Sequence, residues 1–152
     1  MTARHTSALE ALLVDQSFDG DIYPGEPLAR HTTYHIGGPA RFYVCVSSLS
    51  ALSQLVKTCD ASDVEWIAMG KGSNLLVSDE GFDGVAFTLG QDFKTCRFDE
   101  EHSSFSVGAG VPLSSVVQDA FKRGLAGLEF AVGTPGTIGG AVRMNAGSRD
   151  EW

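Results

Sequence analysis

Residues 64–79, VEWIAMGKGSNLLVSD, decide how this chain is read. Val64–Met69 is a short apolar run suited to a buried strand, and it empties directly into Gly-Lys-Gly-Ser-Asn at 70–74. Leu75–Asp79 then has the composition of a further strand. Gly70 and Gly72 allow positive φ and close approach to the main chain, while Ser73 and Asn74 add short polar side chains. A nest of successive N–H groups of this kind can hold a pyrophosphate. The loop is not a Walker A sequence. It also departs from the dinucleotide fingerprint, since Leu75 takes the sixth position and a strand, not a helix, is expected next. A tight turn with no ligand satisfies the same residues, so the loop alone leaves both readings open.

Outward from this stretch, Ala40–Val46 alternates, with Phe42, Val44 and Val46 on one side, and predicts a strand. Ser48 is placed to cap a helix carrying Leu49, Leu52, Leu55, Val56 and Cys59 near the 3.6-residue period. Residues 40–78 therefore predict strand, helix, strand, loop, strand: a small α/β unit. Ser7 and Glu10 have capping-box spacing ahead of a short helix with Leu9, Leu12 and Leu13 on one face. Residues 19–40 carry three prolines and four glycines and read as an extended connector.

The second half changes character. Residues 85–89 (VAFTL), 93–98 (FKTCRF) and 104–108 (SFSVG) read as short strands favouring antiparallel pairing. Pro112 suits the first position of a helix whose stripe is Leu113, Val116, Val117, Ala120 and Phe121, with Gly124 as its closing glycine. A boundary between 79 and 92 divides the chain into an N-terminal helix and connector (1–26), a first α/β subdomain (27–90) and a second α+β subdomain (91–152).

A second glycine-rich stretch, GTPGTIGGAVRMNAG, occupies residues 133–147, and Arg143 is its one charged residue. Pro135-Gly136 is a turn dipeptide, and Thr137 is placed to cap a short helix whose first N–H groups would be free for an anion. The Gly139-Gly140 pair removes two Cβ atoms, which suits either a flat ring or phosphate against the backbone, or close packing of a helix on its neighbours. Two such loops in one acidic chain favour a dinucleotide with a flat ring.

Composition narrows the partners. The chain has 152 residues, 43% of them hydrophobic and 20% charged, as ordinary globular proteins do, but 18 are glycine. A net charge of −8 argues against nucleic acid and anionic membrane surfaces, whereas backbone N–H groups hold phosphate without basic side chains. Cys45, Cys59 and Cys96 are widely spaced and odd in number, which suggests reduced thiols, and the four histidines form no metal-binding spacing. With no apolar run near the ~20 residues of a membrane span and no cleavable leader pattern, the expectation is a cytoplasmic chain without a metal. His31 and His35 flank Thr32, Thr33 and Tyr34 and read as exposed residues rather than proton-transfer groups. Asp79 and Glu80 read as turn residues and 99–101 as a solvated hairpin tip. Ser73 and Ser78 lack a His-acid partner, and no nucleophile elbow is present.

Three stretches together, HTTYHIGGPARFYV (31–44), MGKGSNLLVSDEGFDGVAFTL (69–89) and SVGAGVPLSSVVQDAFKRGLAGLEFAVGTPGTIGGAVRMNAG (106–147), resemble the UDP-N-acetylenolpyruvoylglucosamine reductase family. The likeness runs from about Pro27 to the C-terminus. It implies an α+β, two-subdomain FAD-binding fold of the vanillyl-alcohol oxidase/PCMH type, with the second subdomain incomplete. It also implies a flavoprotein oxidoreductase of peptidoglycan precursor synthesis, and with it a part in cell wall biogenesis, cell shape and cell division.

By the same resemblance, Gly70, Lys71, Gly72, Ser73, Asn74 and Leu75 would line the FAD pyrophosphate. Gly108, Ala109 and Gly110, with Gly133, Thr134, Pro135, Gly136, Thr137, Ile138, Gly139, Gly140 and Ala141, would wrap the remaining diphosphate and the isoalloxazine side. Asn145 would fall close to the flavin. In the family NADPH reduces the flavin, which delivers hydride to the enolpyruvyl double bond of the sugar nucleotide while a serine protonates the adjacent carbon. A Tyr-Arg pair and a glutamate complete that site. None of these has a matched position here, so the chain is expected to be a truncated FAD-binding portion with no catalytic residue of its own. Two other readings stand beside it: a self-contained, non-catalytic flavin or nucleotide-binding module, and another FAD oxidase of the same superfamily. The last would call for a flavin-linking His or Cys in a glycine loop, and neither loop has one.

Overall fold

A computed structural model describes residues 9–12, 15 and 17–147. Residues 9–12 are helical, and Leu9 and Leu12 are buried in the core. Ser7 of the expected capping box and Leu13 lie outside the described residues.

The first half is built on a four-stranded sheet: β1 (Gly20–Pro24), β2 (Ala40–Val46), β3 (Trp66–Met69) and β4 (Phe82–Leu89), in the order β1-β2-β4-β3. β4 pairs in parallel with both β2 and β3, and β1 closes one edge antiparallel to β2. Two expectations are corrected here. Part of the connector is strand β1, which ends in Pro24; an edge strand tolerates proline because one side of its backbone has no ladder to complete. VAFTL belongs to parallel β4 at the centre of this first sheet, where Val85, Ala86 and Phe87 are all buried, instead of joining an antiparallel set with the later strands.

The alternation of β2 and β4 sorts their side chains onto two faces. Val44, Val46, Val85 and Phe87 meet Leu9, Phe18, Ala51, Leu55 and Cys59 on one face. Tyr43 and Ala86 meet Leu28, Ala40 and Met69 on the other. Helix α1 (Leu49–Ala61) supplies Ala51, Leu55 and Cys59 to the first face. Ser48 caps it, its Oγ accepting the Ala51 N–H at 3.4 Å. Leu49, in the first turn, faces outward at 68% exposure. Cys59 sits deep enough that burial pushes its thiol up to about 11.

Residues 75–78 are not a strand. Gly38 N–H donates to Ser78 O at 2.8 Å, and a Cβ at Gly37 would lie 2.8 Å from Val77 Cβ. The segment is extended and pinned to residues 37–38, but it lacks a ladder, and Leu76 is 77% exposed.

The second half starts with a short 3₁₀ turn (Gln91–Lys94), then the antiparallel hairpin β5 (Cys96–Asp99) and β6 (Ser104–Val107). The FKTCRF strand is thus shorter than expected. Helix α2 (Leu113–Lys122) has Pro112 as its cap residue, one place earlier than predicted, and Gly124 follows with φ +69°. Leu113, Val116 and Ala120 are buried as the stripe predicts, but Phe121 stands 83% exposed. The Arg123 guanidinium lies 4.2 Å over the Phe98 ring, joining the end of α2 to the hairpin. A 3₁₀ turn (Glu129–Ala131) leads to helix α3 (Ile138–Met144).

Candidate functional site

The two glycine loops meet. A Cβ on Gly70 would lie 2.7 Å from Thr137 Oγ1, so the bare backbone at 70 is what lets residue 137 come so near. Ser73 Oγ donates to Pro135 O at 3.4 Å, across 62 residues of sequence. On its other side the first loop is held by residues 31–33. Gly72 has φ +63°, a Cβ there would lie 2.8 Å from Thr32 Cα and collide with the His31 carbonyl, and Thr33 N–H donates to Gly72 O at 3.1 Å. These contacts place the loop before any ligand arrives.

That placement leaves donors over. Among the described residues, the backbone N–H groups of Lys71, Gly72, Ser73 and Asn74 donate to no protein acceptor, and those of Gly136 and Thr137 likewise donate to none. Six unpaired amides on two touching loops form a donor set suited to a diphosphate, and Lys71 adds a cationic side chain to the first loop. FAD carries such a diphosphate, and the residues fit it.

The start of α3 differs from its expectation. Thr137 caps the helix, its Oγ1 accepting the Gly140 N–H at 3.3 Å. The first helical amides are not free, however: Ile138 N–H donates to Val111 O and Gly139 N–H to Ala109 O, both at 2.9 Å. Carbonyls of the 109–111 turn occupy the positive end of the helix. The amides left without a protein acceptor thus precede the helix, at 136 and 137.

The glycine pair also divides. A Cβ at Gly139 would sit 2.9 Å from Ala109 Cβ, so this glycine serves packing of α3 on the 109–111 turn. At Gly140, among the described residues, a Cβ would find only Thr137 Oγ1, at 3.4 Å. Gly140 therefore presents bare backbone to open space. Gly108 and Gly110 are explained by neighbours too, their amides donating to Thr95 O (2.8 Å) and Phe93 O (2.9 Å), and a Cβ at Gly108 would run into Phe93 O.

Asn145, with no role legible in sequence, is the left-handed cap of α3 (φ 48°, ψ 54°), and Ala146 N–H closes back on Ala141 O at 2.9 Å. Asparagine tolerates this conformation better than most residues. Arg143 lies in the last turn of the helix, where a cation complements the dipole.

His31 is not the exposed residue the sequence suggests. Its ring is stacked on Tyr43 (centroids 3.9 Å apart, 19° between planes), and Nε2–H donates to Glu26 Oε1 at 3.1 Å. That hydrogen bond, joined by the Arg30 charge, holds the Glu26 carboxyl below its usual value against the opposing effect of burial. His35 is exposed, with φ +55°. An open concavity between the end of α1 and β3, lined by Cys59, Asp60, Asp63, Trp66, Ile67 and Phe82, includes none of the loop residues.

Sheet, hairpin and paired glycine loops together define a flavin-adenine-dinucleotide-binding domain. A family model described as "FAD binding domain" matches residues 40–151, and the chain belongs to that family. Its relatives are more particular. It is 41% identical over 135 residues to the UDP-N-acetylenolpyruvoylglucosamine reductase of Heliobacterium modesticaldum, covering 89% of this chain and 42% of the relative. Against the reductase of the same name from Bacillus subtilis the identity is 44% over 129 residues, covering 85% and 42%.

Among solved structures it is similar to the UDP-N-acetylenolpyruvylglucosamine reductase (MurB) of Thermus caldophilus, with a TM-score of 0.67 and 37% identity, covering 86% of this chain and 43% of that one. A BBE-like 1 variant from Physcomitrella patens, 17% identical with a TM-score of 0.53, shares the fold over 76% of this chain and 26% of its own. The chain spans about 42% of the length of the curated relatives it matches. The fold is thus the α+β FAD-binding type expected from sequence, of which this chain covers part. Among the described residues no helix is long and apolar enough to cross a membrane, and no group of three or more His, Cys, Asp or Glu is placed to hold a metal.

Proposed function

We propose that this chain is the FAD-binding portion of an oxidoreductase that uses NADPH to reduce the enolpyruvyl group of a UDP-sugar in peptidoglycan precursor synthesis, in the cytoplasm. The observation carrying this reading is the set of unpaired amides at 71–74 and 136–137 on two loops that touch. The reductase relatives at 41–44% identity support the particular reaction. Bound FAD supplies a hydride acceptor and donor between nicotinamide and the enolpyruvyl carbon.

The chain's own residues bind and orient. Lys71, Gly72, Ser73 and Asn74 receive the diphosphate on one side, and Gly136 and Thr137 on the other. Gly140 leaves room for the rest of the cofactor. His31, Thr32 and Thr33 brace the first loop, and the 109–111 turn braces the second. The partner is a small sugar nucleotide rather than nucleic acid or membrane. Taken alone, the 152 residues bind FAD without turnover: reduction of the carbon also needs a positioned proton donor and stabilisation of the charge that builds up, and no residue here is matched to either task.

The test is to saturate the purified chain with FAD, record its visible spectrum after gel filtration, and assay with NADPH and the enolpyruvyl sugar nucleotide. A retained flavin spectrum with no lactyl product is expected. Absence of retained flavin at any loading contradicts the binding assignment, and product formation at an enzyme-like rate contradicts the assignment of turnover elsewhere.

A further inference from the structure

Residues 31–35 are not absorbed by the flavin loops, yet they touch the first one. We propose that His31 is a positioning residue for the Gly70–Asn74 loop: its ring, fixed by Glu26 at the edge and Tyr43 on the face, seats the His31 carbonyl and Thr33 amide against Gly72 and thereby sets the row of unpaired amides.

Three observations carry this. His31 ends a 3₁₀ turn (Leu28–His31), and the next residues close on themselves, with Thr32 Oγ1 donating to Ile36 O at 3.0 Å and His35 N–H to Thr32 O at 3.2 Å. The 31–36 segment is therefore a preformed unit, closed at its base by Leu28 N–H to Gly38 O and Ala29 N–H to Gly37 O, and the His31 ring adds a side-chain anchor to the sheet through Tyr43. Second, a carboxylate only accepts, so the Glu26 contact fixes the proton on Nε2 and with it the ring orientation. Third, Tyr43 is buried in the same cluster as Met69, the residue from which the loop departs. The ring thus ties the brace to the platform that fixes the loop's root. Removing His31 does not strand a charge, because Arg30 Nη1 also lies 3.4 Å from Glu26.

The consequence for ligand affinity rests on the proposed FAD reading; the loop's own order does not. Lys71 is exposed and directly precedes the braced Gly72, so trypsin reports on that order with no flavin present. His31→Ala and Glu26→Ala are each expected to speed cleavage after Lys71 about fivefold, the worth of one net hydrogen bond. His31→Phe, which keeps a ring on Tyr43, gives a smaller rise. Cleavage after Lys57 and Lys122 stays at the parent rate.

An unchanged Lys71 rate in both variants overturns the proposal, as does a rise shared equally by Lys57 and Lys122, which marks general loosening. If His31→Ala does not fold, Glu26→Ala carries the same expectation and the same refutation. FAD titration of the folded variants separates the two readings. Weaker binding with a faster Lys71 cut supports both. Unchanged binding with a faster cut supports the brace and removes the diphosphate from this loop. A parent that binds no FAD defeats the proposed function and leaves the proteolysis result to decide the brace.

Discussion

Gly140 offers a perturbation whose effects on fold and ligand run in opposite directions. It lies in the first turn of α3 with helical backbone, and among the described residues an added Cβ would meet only Thr137 Oγ1, at 3.4 Å. Glycine within a helix costs roughly 0.5–1 kcal/mol relative to alanine, so Gly140→Ala stabilises the free chain by up to about that amount. Gly140→Val adds more bulk, and β-branching offsets part of the helical gain, leaving stability within about 1 kcal/mol of the parent.

The ligand experiences the reverse. If the bare backbone at 140 faces bound FAD, inserted methyl groups overpack that contact at about 1–3 kcal/mol. At 1.4 kcal/mol per decade this weakens FAD by roughly five- to 140-fold for the valine. Urea denaturation of the FAD-free variants gives the first quantity, and quenching of flavin fluorescence on titration gives the second. A Gly140→Val chain that is folded and binds FAD as tightly as the parent refutes the assignment of this face to the cofactor. A large loss of stability in Gly140→Ala refutes the claim that the space is open.

Other outcomes follow from the packing. Thr137→Ala removes the cap of α3 and its contact at Gly70, and should cost about 1 kcal/mol, read as a Tm lowered by roughly 3 °C. Leu55→Ala, at a fully buried position on α1, should cost about 2–5 kcal/mol in urea melts, and a cost below 1 would show that α1 does not pack as described. Thiol labelling of the native chain near pH 8 should modify exposed Cys96 first and leave Cys59 unmodified until the chain unfolds, since Cys59 is buried and its thiol is pushed up to about 11. The Glu26 carboxyl is held below its usual 4.5, so its contribution to stability is present at neutral pH and is lost as pH falls below 4.5 through the lowered value. Parallel urea melts from pH 7 to pH 3 should show Glu26→Gln losing less stability than the parent.

The parts of the fold legible in sequence are those where one face is buried. The alternation of β2 and the stripe of α1 were readable because Val44, Val46, Leu55 and Cys59 all enter one core. β1 was hidden by Pro24 and Gly25, which mark a connector in sequence, whereas in space Pro24 ends an edge strand and Gly25 turns the chain away from it. Leu75–Ser78 misled in the opposite direction: an apolar extended run looks like a strand, but its bonding goes to the turn at 37–38. Pairing direction at β4 was beyond local pattern, since parallel neighbours on both sides depend on the α1 crossover and on the return through residues 70–81.

The candidate site was half readable. Both glycine loops announce themselves, and so does the Thr137 cap. What sequence spacing cannot show is which glycine serves a neighbour and which serves open space. Gly139 packs on Ala109 and Gly140 does not, although they are adjacent. Carbonyls of the 109–111 turn occupy the helix amides, which no local motif foretells. The brace at His31 was missed because a histidine beside a glycine turn looks exposed until Tyr43 and Glu26 are seen around it.

The measurement closest to the central claim is a titration of the ¹⁵N-labelled chain with FAD, followed through its amide resonances. The unpaired amides of Lys71, Gly72, Ser73, Asn74, Gly136 and Thr137 should show the largest shifts, moving together and saturating at one equivalent, while Ile138 and Gly139, already bonded to carbonyls, move less. Saturable binding whose largest shifts fall elsewhere, with these six amides unmoved, would contradict the account.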